Sequence, residues 1–560
     1  MFPTNLVDLP NPDPKAQTNS PVTPLSGCIA NLNAVVEALQ AKVGIDGSAV
    51  STSLDKKTAD LIADQALADD AIQGLQLSFA RAARLPADVP SASTCYVHKS
   101  GATYSNAQRY NEHTVFVPVQ AGPVYFSALF SNVGCRTTGV LSIAALFLAR
   151  PGLSVPHGSA TRVGTWTNDT STSAESGGYR YSTTAGDTIS ATVTGDVVGA
   201  FIFCATNGGY AVVAIDGDYT SATRLPAFTQ SDYVAGICRL EDVGRRYIQC
   251  YWTSARTDGF VFADDLADTT HTVTIQVTGT KRSAASSTRV YVESIIGCRS
   301  TDTIGTANVK MLPIREINNQ CEAWSAHDWV IEWAPAGSSD YQFLGNTHAD
   351  GVASKEVESS WSIHCDATDQ TAISAGAYQS GTRITIQQVS TIAHKADLNT
   401  AVATKSRIYT AMANRDLPLM VQTKVTWSAT GMARTEYPCM LPIGTKLNQQ
   451  RTMSRGDFDT ITVEGTDYDL PTLYNDTAYK LRTGHRLVFS GGDLSCFCEL
   501  VGRTPKVDQL LGDYESRYQD RATLDIKGYT QTIATAGPAY ASGEVVTWTI
   551  GFGALLNSDW

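Results

Sequence analysis

The sequence predicts a mainly β protein in which N-terminal coiled-coil helices are followed by β-sandwich domains. Three observations carry that prediction. Two apolar seams at heptad spacing lie between residues 26 and 82. Beyond residue 87, apolar and β-branched runs alternate with clusters of Gly, Ser, Thr, Asn and Asp, as strands alternate with turns. Only 17% of the 560 residues are charged, so much of the surface rests on neutral hydroxyls, as in many β-rich proteins. A hydrophobic share of 43% is enough for sizeable cores, and the length asks for roughly three or four domains.

Residues 1–25 carry Pro3, Pro10, Pro12, Pro14, Pro21 and Pro24 and no periodic apolar pattern, which predicts an extended segment that becomes ordered only against something else. Ile29, Leu32, Val36, Leu39 and Val43 then follow alternating steps of three and four, forming one seam of a helix. Gly44-Ile45-Asp46-Gly47 interrupts it. A second seam runs Leu54, Thr58, Leu61, Gln65, Ala68, Ile72, Leu75 and Phe79, with Asp55, Lys56, Asp60 and Asp64 on the solvated face. This spacing keeps the period of about 3.5 residues that a supercoil needs, so residues 26–82 predict a coiled-coil stalk and an oligomer. Two amphipathic helices on a globular domain are the plainer alternative.

A first β region spans 87–300. His113–Val119, Thr188–Val193, Tyr210–Ile215 and Thr272–Val277 read as strands, several of them alternating apolar and polar residues as half-buried strands do. A Thr-rich stretch, Ser300 to Ala307, separates it from a second β region over 311–560, within which Asp508 to Ala522 also fits a helical pattern.

Composition excludes several partners and classes. A net charge of -12 without any long Lys/Arg run argues against nucleic acid. The longest apolar run, Ile143 to Ala149, is too short to span a bilayer, so no membrane insertion is expected. The first residues lack the basic start and apolar core of a secretory signal, and scattered cysteines fit reduced thiols in a protein made in the cytoplasm.

Motifs for common chemistry are missing. No Gly-x-Ser-x-Gly elbow, His-Glu-x-x-His pair, phosphate-binding loop or dinucleotide fingerprint occurs. A glycosidase remains open, because its paired carboxylates leave no local signature. His348 and Asp350, with His364 and Asp366, are a candidate metal or acid-base group, weighed against polar residues at strand ends. Asp216 and Asp218 suit either a calcium ion or an Asp-Gly hairpin turn, and the turn is the simpler reading. Asp467 and Asp469 make a similar case, and the Cys496-x-Cys498 pair lacks the further ligands of a zinc site. No metal and no cofactor is therefore expected. The aromatic side chains Trp166, Tyr219, Tyr247 and Trp252 are candidates for stacking on sugar rings, weighed against packing in the core.

Val35 to Asp55, with Val43-Gly44-Ile45-Asp46-Gly47-Ser48-Ala49-Val50 at its centre and Leu6-Val7-Asp8-Leu9-Pro10 before it, resembles the N-terminal region of tail-fibre and other appendage proteins of tailed bacteriophages. The resemblance covers residues 5–60 at most. It implies an extended segment docked on the virion and a helical bundle, usually trimeric, joined to distal β domains. Ile29, Leu32, Val36, Leu39, Val43, Leu54, Leu61, Ile72 and Leu75 would then hold the trimer together. Tyr210 to Ile295, with Ile215-Asp216-Gly217 and Ser286 to Val292, is similar to carbohydrate-binding jelly-roll domains of phage and bacterial surface proteins, which implies a jelly roll in the first β region. Phe343 to His348 resembles β-sandwich domains of phage tail proteins, too loosely to transfer a site.

The resulting expectation is a structural virion protein, a homotrimeric tail fibre bound through its N-terminus to tail or neck proteins and through its β regions to host-surface glycan. Two alternatives stay open: a capsid or neck decoration protein, and a fibre-borne polysaccharide depolymerase or esterase. The absent motifs favour a binding protein over an enzyme.

Overall fold

The computed structural model describes residues 94–101, 113–119, 123–131, 140–252, 255–318, 330–345, 354–413, 417–445, 460–463, 466–469, 478–483, 486–492, 494–503, 515–520, 525–533 and 539–556. They are nearly all β, arranged in several antiparallel sheets. The expected fold class is corrected accordingly: no coiled-coil helix occurs among the described residues, whose α-helix is the five-residue Gln230–Val234. Heptad spacing states which side chains would share a face if a segment were helical, but most helical stability comes from tertiary packing, which spacing does not supply. Residues 1–25 and the seam positions Ile29, Leu32, Val36, Leu39, Val43, Leu54, Leu61, Ile72 and Leu75 lie outside the described residues. Within Asp508 to Ala522, the described part, Glu515–Asp520, is a strand rather than a helix.

Strands β1 (Cys95–Lys99), β2 (His113–Pro118), β3 (Tyr125–Ser131) and β4 (Ser142–Pro156) form an antiparallel meander. Strand alternation divides their side chains between two faces. Cys95, Val97, Val115, Val117, Phe126 and Phe130 enter one large core, while Tyr96, Phe116, Tyr125 and Phe147 gather on the opposite face.

β4 is long enough to serve two structures. Its first half, up to Ala149, pairs with β3, and its last residues, Leu153–Pro156, pair with β15 (Ser294–Cys298). Between these ends the chain forms β5 (Thr161–Val163), β6 (Thr167–Thr170), β7 (Gly178–Ser182), β8 (Thr188–Gly195), β9 (Val197–Cys204), β10 (Tyr210–Ile215), β11 (Tyr247–Gln249), β12 (Arg256–Ala263), β13 (Thr269–Val277) and β14 (Val290–Val292). Part of one sheet reads β4-β15-β9-β12, and a second sheet reads β8-β13-β10-β11 with β5 beside β8. Counting these eight principal strands along the chain, the orders are first-eighth-third-sixth and second-seventh-fourth-fifth. That is the wrapping of a jelly roll, two Greek keys closed face to face. Its core is built by alternate residues of both sheets, among them Ile189, Val193, Ile202, Val213, Ile275 and Ile295.

β16 (Val309–Asn318) runs along the other edge of β4, so that Leu148 lies between Phe126 and Arg315, and Leu153 between Gly297 and Val309. The second β region contributes a seven-stranded and a ten-stranded sheet. Ile363, Ile384, Tyr409, Val421, Trp427 and Trp548 of these sheets share the large core with β1 to β3. The two regions are also stitched by pairing: β1 takes Tyr378–Gly381 as its outer neighbour.

Candidate functional site

A cavity of about 400 Å3 opens where the meander, the jelly roll, β16 and the strand Tyr378–Gly381 meet. Each wall follows from strand register. His98 and Tyr378 stand directly opposite each other across the antiparallel pair, which brings their rings into a stack with centroids 4.3 Å apart and planes 30° apart. Phe116 of β2 meets Phe147 of β4 edge-on at 6.5 Å and lies 6.4 Å from Tyr378, giving this wall an aromatic surface. Burial pulls the His98 imidazole below its ordinary pKa, only partly offset by Glu175, and pushes the Tyr378 phenol up.

The facing wall is polar and comes from the jelly roll. Glu175, in the turn after β6, accepts hydrogen bonds from Ser100 Oγ at 2.6 Å and from the Gly101 backbone N–H at 3.0 Å, with His98 Nε2 3.7 Å away. These contacts tie the end of β1 to the jelly roll. Thr257 Oγ1 accepts from the Glu175 backbone at 2.9 Å and donates to Glu293, which Ser176 also bonds through its backbone N–H at 3.1 Å and its hydroxyl at 2.9 Å. Glu293 is fully buried behind the wall, and that burial raises its pKa against the pull of Thr257, Lys310 and Ser176.

Next to this group, Arg256 donates from Nε to Asp258 Oδ1 at 2.8 Å, pairs with it again through Nη2, and rests 4.4 Å from the centre of the Trp252 ring. Burial opposes the guanidinium charge, but Asp258 more than restores it. Gly259 follows, where a Cβ would come within 2.9 Å of Pro313 Cδ and 3.2 Å of the Phe201 ring; the absent side chain lets β12 pass under β16. From β16, Lys310 reaches over the face of Phe201 at 5.2 Å, and Glu316 completes the lining. The arrangement offers donors, acceptors and aromatic faces in one partly enclosed space, the composition of a small-ligand site.

None of the four candidate aromatic residues lines this cavity. Tyr219 and Tyr247 sit on the far side of the β8-β13-β10-β11 sheet: Tyr247 stacks on Phe228 at 3.9 Å, and Tyr219 donates to Gln276 at 2.9 Å under the Arg245 guanidinium. Trp166 and Trp252 pack against the jelly-roll core, and only Trp252 reaches toward the cavity, through Arg256. The residues that do line it, from His98 to Tyr378, are separated by up to 280 positions, so no local spacing announced them.

The remaining sequence candidates resolve as local structure. Asp216 and Gly217 both have positive φ, 53° and 85°, and Ile215 and Asp218 exchange backbone hydrogen bonds around them, which makes a two-residue hairpin turn. Asp366 caps a turn by accepting from Thr382 and Arg383, and His364 stands across from Asp369; His348 and Asp350 lie outside the described residues. Asp467 accepts from Thr462, Asp469 faces Thr460 across its strand pair, and Cys496 and Cys498 are buried free thiols. No group of three or more metal-ligating side chains occurs among the described residues.

No family model matches this chain, and no curated protein does. Among solved structures, it is similar to a two-domain esterase active on acetylated mannans, co-crystallised with mannopentaose, at 13% identity over 26% of this chain and 37% of that one, with a TM-score of 0.19. A P pilus usher translocation pore aligns at 9% identity over 82% of this chain and 98% of that one, with a TM-score of 0.07. Likenesses of this size carry no argument about fold or activity.

Proposed function

We propose that the protein binds a glycan in the cavity between its jelly roll and the adjoining sheets. The observation behind this reading is the pairing of an aromatic wall, Tyr378, Phe116 and Phe147, with a polar wall of Glu175, Asp258, Arg256 and Lys310. Sugar rings present apolar faces to aromatic side chains and hydroxyls that both donate and accept, so a mixed lining suits them better than a purely apolar one. The volume also lies within the roughly 300–1,000 Å3 of small-ligand sites. The resemblance of residues 5–60 to phage appendage proteins supports placing this activity on a virion, in a homotrimer made in the host cytoplasm and held to tail or neck proteins, with a host-surface glycan as its target.

The test is a titration of the full chain with bacterial surface polysaccharides and neutral oligosaccharides, repeated with Tyr378→Ala. Binding should weaken about tenfold on loss of the ring, in keeping with roughly 1.4 kcal/mol of stacking. Wild-type affinity that Tyr378→Ala leaves intact would move the site elsewhere, and no binding across the panel would reject the reading.

A second reading, a polysaccharide depolymerase, is favoured by one observation: Glu175, Asp258 and Glu316 all line the same cavity, as paired carboxylates must for acid-base cleavage. New reducing ends released from a bound polysaccharide, and lost in Asp258→Asn, would decide for it.

A further inference from the structure

The cavity holds cationic groups whose hydrogen-bonding capacity the protein does not use. The Lys310 ammonium lies over the Phe201 ring and, among the described residues, makes no hydrogen bond or ion pair. Arg256, 4% exposed, directs Nε and Nη2 to Asp258, while its Nη1 is buried and has no partner among the described residues. A buried donor left unmatched is costly, and a guanidinium nitrogen can only donate.

The carboxylates of the same lining are differently placed. Glu175 already accepts from Ser100 and Gly101, and Asp258 from Arg256, while Glu316 acts on the Arg256 charge. What the protein lacks at this place is therefore an acceptor rather than a donor. A hydroxyl supplies a weak one together with a proton that needs its own partner; a carboxylate supplies two acceptor-only oxygens, and its bonds to Lys and Arg are roughly twice as strong as neutral ones.

We infer that the cavity selects a sugar bearing a carboxylate, an acidic glycan unit whose carboxylate is met by Lys310, with the buried Arg256 charge close behind, while its ring faces the aromatic wall of Tyr378 and Phe147. The inference rests on the reading of the cavity as a glycan site and narrows it to one class of sugar.

The experiment is calorimetric titration of the full chain with uronate and sialate oligosaccharides, each as the free acid and as its methyl ester. Esterification removes the charge and keeps the ring. The free acid should bind about tenfold tighter than its ester, and that preference should shrink with added salt. Lys310→Gln should erase the preference of acid over ester, whereas Lys310→Arg should keep it. Among the described residues Lys310 has no ion pair to lose, and the comparison of acid with ester needs no variant at all. Equal affinity for acid and ester, or a preference that survives Lys310→Gln, overturns the inference and leaves glycan binding standing. Binding of neither form, nor of any neutral oligosaccharide in the panel, overturns the glycan reading with it.

Discussion

The His98 imidazole stacks on Tyr378, its partner directly across an antiparallel strand pair, with ring centroids 4.3 Å apart. The pair joins the first β region to the second at the floor of the cavity, and it is sensitive to pH. Burial lowers the His98 pKa from its ordinary value of 6.5, so the folded chain binds this proton less readily than the unfolded chain. The resulting stability is present above pH 6.5 and is lost as pH falls from there through the lower folded value. Urea midpoints measured between pH 7.5 and 5 should therefore fall, and His98→Phe, which keeps a stacking ring without a titrating group, should show a shallower fall. An unchanged slope in His98→Phe would contradict this assignment.

His271 behaves in the opposite sense. Burial disfavours its charge, yet Asp216 Oδ2 at 2.8 Å and the Ala267 carbonyl at 2.9 Å raise its pKa above the ordinary value. The stability this contributes is full below pH 6.5 and is lost as pH rises through the folded value. Asp216→Asn retains a residue that tolerates the positive φ of the turn and removes the charge. An NMR titration should then show the His271 pKa displaced downward, since desolvation remains and its main counterweight is gone.

Within the ten-stranded sheet, Lys405 Nζ lies 3.0 Å from Glu356, Arg407 lies 3.5 Å from the same carboxylate, and all three side chains are fully buried. Ser390 donates to Glu356 at 2.6 Å. Beside them, Gln388 holds the Leu141 carbonyl at 2.8 Å and Glu358 its N–H at 2.7 Å, fastening the entry to β4 against this sheet. Glu356→Leu leaves two buried cations without their carboxylate and should destabilise the protein by about 3–5 kcal/mol in chemical denaturation. Replacing Lys405 with Met in the same chain should recover part of that loss, because one of the two buried cations is then gone.

Strands were legible wherever one face is buried and the other is not. The runs Thr188–Val193, Tyr210–Ile215 and Thr272–Val277 fall within β8, β10 and β13, where alternating side chains meet a single core. The Asp216-Gly217 turn was legible for the same local reason, since few residue pairs accept two positive φ angles in succession. Two kinds of expectation rested on less. The coiled-coil helices rested on spacing alone, and the described fold is built from strands. The aromatic sugar candidates rested on residue type, but Tyr247 is committed to Phe228 and Trp252 to Arg256, because a ring beside an apolar core packs into it before it waits for a ligand.

By itself the sequence determined the β class of the described residues, the turns that separate their strands, and the hydroxyl-rich, weakly charged surface, all of which depend on neighbours within a few positions. Only the tertiary structure decided that β4 would be shared by two structures, that the jelly-roll strands would close in their particular order, and that His98, Glu175, Arg256, Lys310 and Tyr378 would line one cavity. Strand pairing joins residues hundreds of positions apart through backbone groups that every residue carries, so the partner of β1 is chosen by the packing of whole sheets and leaves no mark in the local pattern.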